Sequence, residues 1–134
     1  MATKQAAKAL DGVQPKGLSV GLVAVTSIYS LTSSNSAGDV IQMVKVPKGA
    51  TPIYVAVSAA SVGVGAVHVG DGVSNTRYIN PILYSAGSTQ AVINTNYTPY
   101  TYSTDDTIDI FVSAVSVGTL AGSFIMTAIF AMDT

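Results

Sequence analysis

Residues 107–116, Thr107-Ile108-Asp109-Ile110-Phe111-Val112-Ser113-Ala114-Val115-Ser116, put Ile108, Ile110 and Val112 at every second position, with Asp109, Phe111 and Ser113 between them. A side-chain period of two belongs to an extended strand with one dry face. Ile53, Val55, Val57 and Ala59 alternate in the same way with Tyr54, Ala56, Ser58 and Ala60. In a third stretch Val64, Ala66 and His68 alternate with Gly65, Val67 and Val69, which turns His68 away from the two valines that flank it.

Outward from these segments the chain divides into short apolar runs rich in β-branched residues, separated by Gly, Pro, Asn, Ser or Asp. Strands are expected near residues 19–31, 39–46, 52–60, 64–69, 76–84, 89–94, 98–103, 107–116 and 121–132. The joints carry turn chemistry: Pro47-Lys48-Gly49, Asp71-Gly72, Ala86-Gly87 and the polar run 33–38. Hairpins are the natural connections. Pro52, Pro81 and Pro99 lack the N–H that a ladder requires, so their segments are expected at edges, strand starts or bulges. The apolar stretch 120–132 is shorter than a membrane-spanning helix and is broken by Gly122, Ser123 and Thr127, so it reads as a buried strand.

Eight or nine short strands without a long helix predict an all-β fold: a single antiparallel β-sandwich, or jelly-roll-like, domain over 18–134. A short arm, 1–17, precedes it. About two turns of helix fit residues 4–10, and Gly12, Pro15 and Gly17 prevent any continuation.

Composition narrows the function. Of the 134 residues 49% are hydrophobic and only 10% charged, against roughly 25% charged in an ordinary domain. Ser, Thr, Asn, Ala and Gly must therefore fill much of the surface, and little charge repulsion keeps identical copies apart. A formal charge of −1 gives no electrostatic footprint for nucleic acid. The start of the chain has no apolar run after its lysines, so no secretory signal is read there, and the sequon Asn96-Tyr97-Thr98 has no route to glycosylation.

Catalytic chemistry finds few carriers. Without Cys or Glu, and with His68 as the sole histidine, the chain cannot assemble a Ser-His-Asp triad, a thiolate site or a His-pair metal site by itself. Gly63-Val64-Gly65 resembles the start of a dinucleotide loop, but His68 stands where the third glycine belongs. The chain is therefore expected not to be an enzyme and to hold no cofactor. Asp105, Asp106 and Asp109 are either an oxygen-ligand cluster for Ca²⁺ or an acidic turn feeding a strand. Tyr97, Tyr100 and Tyr102 are either a contact platform for protein or sugar or cross-strand pairs on a half-exposed sheet.

The layout of the chain resembles the capsid decoration, or cement, proteins of tailed bacteriophages. The parts that carry the resemblance are the Ala/Lys-rich start, the run Gly38-Asp39-Val40-Ile41-Gln42-Met43-Val44-Lys45-Val46-Pro47-Lys48-Gly49-Ala50, Val69-Gly70-Asp71-Gly72 with Thr76-Arg77-Tyr78-Ile79, and Asp105-Asp106-Thr107-Ile108-Asp109-Ile110. The resemblance implies a virion protein made in the host cytoplasm, a homotrimer on the capsid surface that contacts the major capsid protein, with neither nucleic acid nor membrane as direct partner. Lys4, Lys8 and Lys16 are the expected capsid-contact residues of the arm. A tail, baseplate or fibre component and a carbohydrate-binding β-sandwich module are the alternatives.

Overall fold

In a computed structural model of the chain the described residues are 3–5, 21–31, 37–60, 65–84, 88–94, 97–115 and 122–132. They form nine strands: β1 (Thr3–Gln5), β2 (Gly21–Ser30), β3 (Val40–Val46), β4 (Ala50–Ala60), β5 (Gly65–Gly70), β6 (Ile79–Tyr84), β7 (Ser88–Val92), β8 (Asp106–Val115) and β9 (Ser123–Met132). One sheet has the order β1-β3-β8-β5-β6 and the other β2-β9-β4-β7. Apart from the parallel pair β1–β3, all pairing is antiparallel.

From β2 onward the chain crosses from one sheet to the other at every connection but one. Only β5 and β6 are joined as neighbours, so the expectation of hairpins throughout gives way to the alternation of a jelly roll. The physical reason is that strands such as β9, with Phe124, Met126, Ala128 and Phe130, and β8, with Ile108, Ile110 and Val112, each turn a buried apolar row to one face. A chain that passes between two such sheets encloses one shared core between those rows.

That core holds the alternate residues expected from the sequence. Ile108, Ile110 and Val112 of β8 meet Val55 and Val57 of β4 and Phe124, Met126, Ala128 and Phe130 of β9, all buried. The run 120–132 thus yields a buried strand. Register shifts interrupt four of the ladders, and those in β3 and β4 bear on Met43 and Ile53. In β3 the register slips between Gln42 and Val44, so Met43 is an extra residue and both Met43 and Val44 are fully buried. In β4 it slips between Pro52 and Tyr54, which expels Ile53 to the surface. β4 is an interior strand rather than an edge, but Pro52 stands near its start and at the bulge, both places expected for it, and the bulge absorbs its missing donor. Pro81 does fall on an edge strand, β6.

Two further expectations are corrected. Residues 98–103 do not form a strand; they run as irregular chain tied to the start of β4 by Tyr102 N–H to the Ala50 carbonyl (3.0 Å) and Gly49 N–H to the Tyr102 carbonyl (2.8 Å). Their tyrosines are used across the end of the sandwich rather than along a ladder. Thr3–Gln5 are not helical but pair with Val40–Gln42, so the beginning of the expected arm is an edge strand. The rest of the arm, residues 6–17, lies outside the described residues.

Candidate functional site

Two surfaces stand out. The first is the outer face of the β2-β9-β4-β7 sheet. None of these four strands contains Lys, Arg, His, Asp or Glu. The strand register sets Leu22, Ala24, Thr26 and Ile28 of β2 opposite Ala131, Ile129, Thr127 and Ile125 of β9, with Thr51, Tyr54, Ala56 and Ser58 of β4 beyond them. Leu22 is 67% exposed and Val92, at the far edge, 55%. Thr26 and Thr127 join their hydroxyls at 3.0 Å in the middle of this face. Scattered apolar residues are normal on a protein surface, but a whole sheet face without one charge is the composition of a contact surface. The other sheet carries Lys4, Lys45, His68, Asp106 and Asp109, so ionisable side chains of this kind are confined to the strands of one sheet.

The second surface lies at one end of the sandwich, around Asp71. Its carboxylate is buried, and both oxygens are used: Oδ1 accepts from the backbone N–H groups of Val73 (2.9 Å) and Ser74 (2.8 Å), and Oδ2 from Arg77 Nε and the Tyr102 hydroxyl (2.7 Å). Burial alone would raise the Asp71 pKa. The Ser74 N–H, the Tyr102 hydroxyl, Arg77 and the Val73 N–H outweigh it and hold the carboxyl below its ordinary range. Since Tyr102 spends its proton on Asp71, Tyr78 is the donor in the 2.5 Å contact between the two phenols. Burial, first of all, pushes both phenols far above their ordinary pKa.

Arg77 is held twice, by Asp71 and by the ring of Tyr100, whose centroid lies 3.6 Å from the guanidinium carbon. Tyr100 meets Tyr102 edge-on at 5.0 Å, and Tyr97 tilts against Tyr78 at 5.4 Å. The Tyr97 hydroxyl donates to the Pro52 carbonyl and accepts the Tyr100 N–H, which pins the 97–102 segment to the sandwich. The turn between β5 and β6 packs closely as well. A Cβ on Gly70 would stand 2.1 Å from the Ser74 carbonyl oxygen, so only glycine fits there.

The tyrosines picked out in the sequence thus come together, but in different roles. Tyr102 is buried and serves Asp71, whereas Tyr97 and Tyr100 are half-buried. They are not three members of one open platform, because one face of the Tyr100 ring is covered by Arg77. Lys4 sits in β1; Lys8 and Lys16 lie outside the described residues. His68 turns outward as expected, and its Nδ1 lies 2.9 Å from Asn80 Oδ1.

The acidic run divides. Asp105 Oδ1 accepts the Lys48 N–H, Asp106 Oδ1 accepts the Thr107 N–H, and Asp109 Oδ1 accepts the Thr107 hydroxyl. Among the described residues no three carboxylate or imidazole groups converge as metal ligands. Asp109 is buried in the middle of its sheet, and desolvation, with the charges of Asp106 and Asp71 adding to it, raises its pKa to about 7.

The Asp71 centre was not singled out by sequence reasoning. Its signal was present: Asp71-Gly72-Val73-Ser74 is an Asx-turn sequence, and Arg77 is the sole arginine of the chain.

No protein-family model matches the chain, and no curated protein is similar to it. Solved structures do match it. A chain of the capsid of Ralstonia phage GP4 superposes with a TM-score of 0.74 at 16% identity, covering 98% of both chains. One from the cyanophage Pam1 capsid asymmetric unit gives 0.70 at 17% identity, covering 90% of this chain and 91% of that one. One from the acid-stable capsid of Helicobacter pylori bacteriophage KHP30 gives 0.55 at 13%, covering 86% and 94%. The nine-stranded jelly roll of this chain is a fold shared, almost end to end, with chains of phage capsids.

Proposed function

We propose that this chain is a structural subunit of a phage particle, without enzymatic activity, and within that class a capsid decoration, or cement, protein that binds the assembled shell and stabilises it. The uncharged outer face of the β2-β9-β4-β7 sheet carries this reading, since burying it against protein gains apolar free energy and strands no charge. The fold shared with chains of phage capsids supports it.

In this reading the uncharged face, with the edge strand β2, joins copies of the chain into a homotrimer. β2 has ten residues and neither Lys nor Pro, so it lacks the usual blocks to pairing with a neighbour. The opposite sheet, with β1 and the arm that bears Lys4, Lys8 and Lys16, is left to meet the major capsid protein. A subunit that binds only the assembled lattice shifts the equilibrium away from disassembly, and a trimer does so with weak individual contacts.

Immunogold electron microscopy of phage particles released by cells that make the chain tests the assignment. Label over the head supports a decoration protein, label on the tail moves the chain to the tail or fibre components, and no label on particles overturns the proposal. Deleting residues 2–16 should leave a folded oligomer that no longer binds heads.

A further inference from the structure

The turn that follows Asp71 borders, with Asn94, Tyr97 and Thr98, an open cleft of about 350 Å³, within the size range of small-ligand sites. Its lining is Ser74, Thr76, Arg77, Asn80, Asn94, Tyr97 and Thr98. We propose that this cleft binds a neutral, hydroxyl-rich ligand, a sugar residue of a glycan.

Arg77 is the fixed point of the cleft. Its Nε is bonded to Asp71 and its plane lies over Tyr100, so the side chain is fixed in place before any ligand arrives. Neither Nη group has a protein partner among the described residues. A guanidinium fixed in this way offers a fork of directional donors with little rotamer entropy left to lose. Asn80 adds to the set: its Oδ1 is engaged by His68 Nδ1, which leaves its amide N–H groups for the cleft. The side-chain amide of Asn94 and the hydroxyls of Ser74, Thr76 and Thr98 have no side-chain partner among the described residues.

Charge decides the ligand class. Arg77 is the sole cation in the lining and is neutralised within 3 Å by the buried Asp71 carboxylate. The cleft therefore presents many donors and acceptors with almost no net charge, which suits sugar hydroxyls better than a phosphate or carboxylate. A protein partner is disfavoured as well, because Tyr97 is the only aromatic in the lining and no aliphatic pocket accompanies it to hold an anchor side chain. The inference does not rest on the particle reading, and a failed labelling experiment leaves it standing.

Saturation-transfer NMR of the full chain with glucose, galactose, mannose, rhamnose and N-acetylglucosamine tests it, with inorganic phosphate, acetate and an acidic peptide as competitors. At least one sugar is expected to bind, with Asn94→Ala weakening it about tenfold, the loss of roughly one buried hydrogen bond. Asn94 makes no side-chain bond to the fold among the described residues, so this variant keeps its thermal midpoint, and Thr98→Val provides a second test at the same site. Binding of no sugar, sugar binding unchanged in both variants, or displacement by phosphate, acetate or the acidic peptide at equal concentration would each overturn the assignment.

Discussion

Tyr102 donates its phenolic proton to Oδ2 of Asp71 across 31 positions of sequence, at 2.7 Å, and so ties the irregular segment before β8 to the turn after β5. The same oxygen accepts Arg77, and the Tyr102 oxygen accepts Tyr78, so one buried carboxylate organises a whole end of the sandwich.

The donor order in that chain is directional and can be read from two variants. Tyr78→Phe removes only the terminal donor, and Tyr102 keeps its bond to Asp71. Tyr102→Phe deprives Asp71 of a donor and leaves the buried Tyr78 hydroxyl without its acceptor. Urea unfolding should show Tyr102→Phe as the more costly, about 2–3 kcal/mol against about 1. Equal costs, or the reverse order, contradict the assignment of donors.

Asp71→Asn leaves Arg77 without its counter-ion and should cost about 3 kcal/mol at neutral pH. Because Asp71 titrates below its unfolded value, its stabilisation is present above that value and is lost as pH falls through the folded pKa. The gap between wild type and variant should therefore narrow in acid, as thermal melts across a pH series will show.

Asp109 behaves in the opposite sense. Its folded pKa, raised to about 7, lies above the unfolded 3.8, so the folded chain holds a proton that the unfolded chain has released between those values. Stability from this group is full below the unfolded pKa and declines as pH rises towards 7. Asp109→Asn should be near neutral at pH 4 and stabilising by about 1–3 kcal/mol at pH 8. A variant that is destabilised equally at both pH values rules out the raised pKa.

At Gly70 the obstruction is backbone, the Ser74 carbonyl and Asn75, rather than a side-chain tip that can move aside. Gly70→Ala must shift the 71–77 turn and should cost at least about 2 kcal/mol by the same unfolding assay, whereas Gly72→Ala, with only Asp106 oxygens 3.6 and 3.7 Å away, should be far milder.

Much of the fold was legible because the dry faces are written in period-two runs. Ile108-Asp109-Ile110 and Val55-Ala56-Val57 read directly as one-sided strands, and a chain of such strands has to close on itself. The connections were not legible, since a turn sequence such as Pro47-Lys48-Gly49 says that the chain reverses but not whether it returns to the same sheet. The bulges at Met43 and Ile53 were hidden for a similar reason: an extra residue in an apolar run looks like more of the run. At Tyr97, Tyr100 and Tyr102 residue type alone did not distinguish a surface platform from buried braces. The partners that decide between them, Asp71 for Tyr102, Arg77 for Tyr100 and the Pro52 carbonyl for Tyr97, lie 23 to 45 positions away.

The uncharged sheet face lies at the centre of the functional reading, and native mass spectrometry of the purified chain tests it most directly, with Leu22→Asp/Ile28→Asp as the matched variant. Both positions are exposed, so the substitutions place charge on that face without disturbing the core. A stable trimer is expected for the wild type and a folded monomer for the variant. A wild-type chain that is monomeric, or a variant that still forms the trimer, would contradict it.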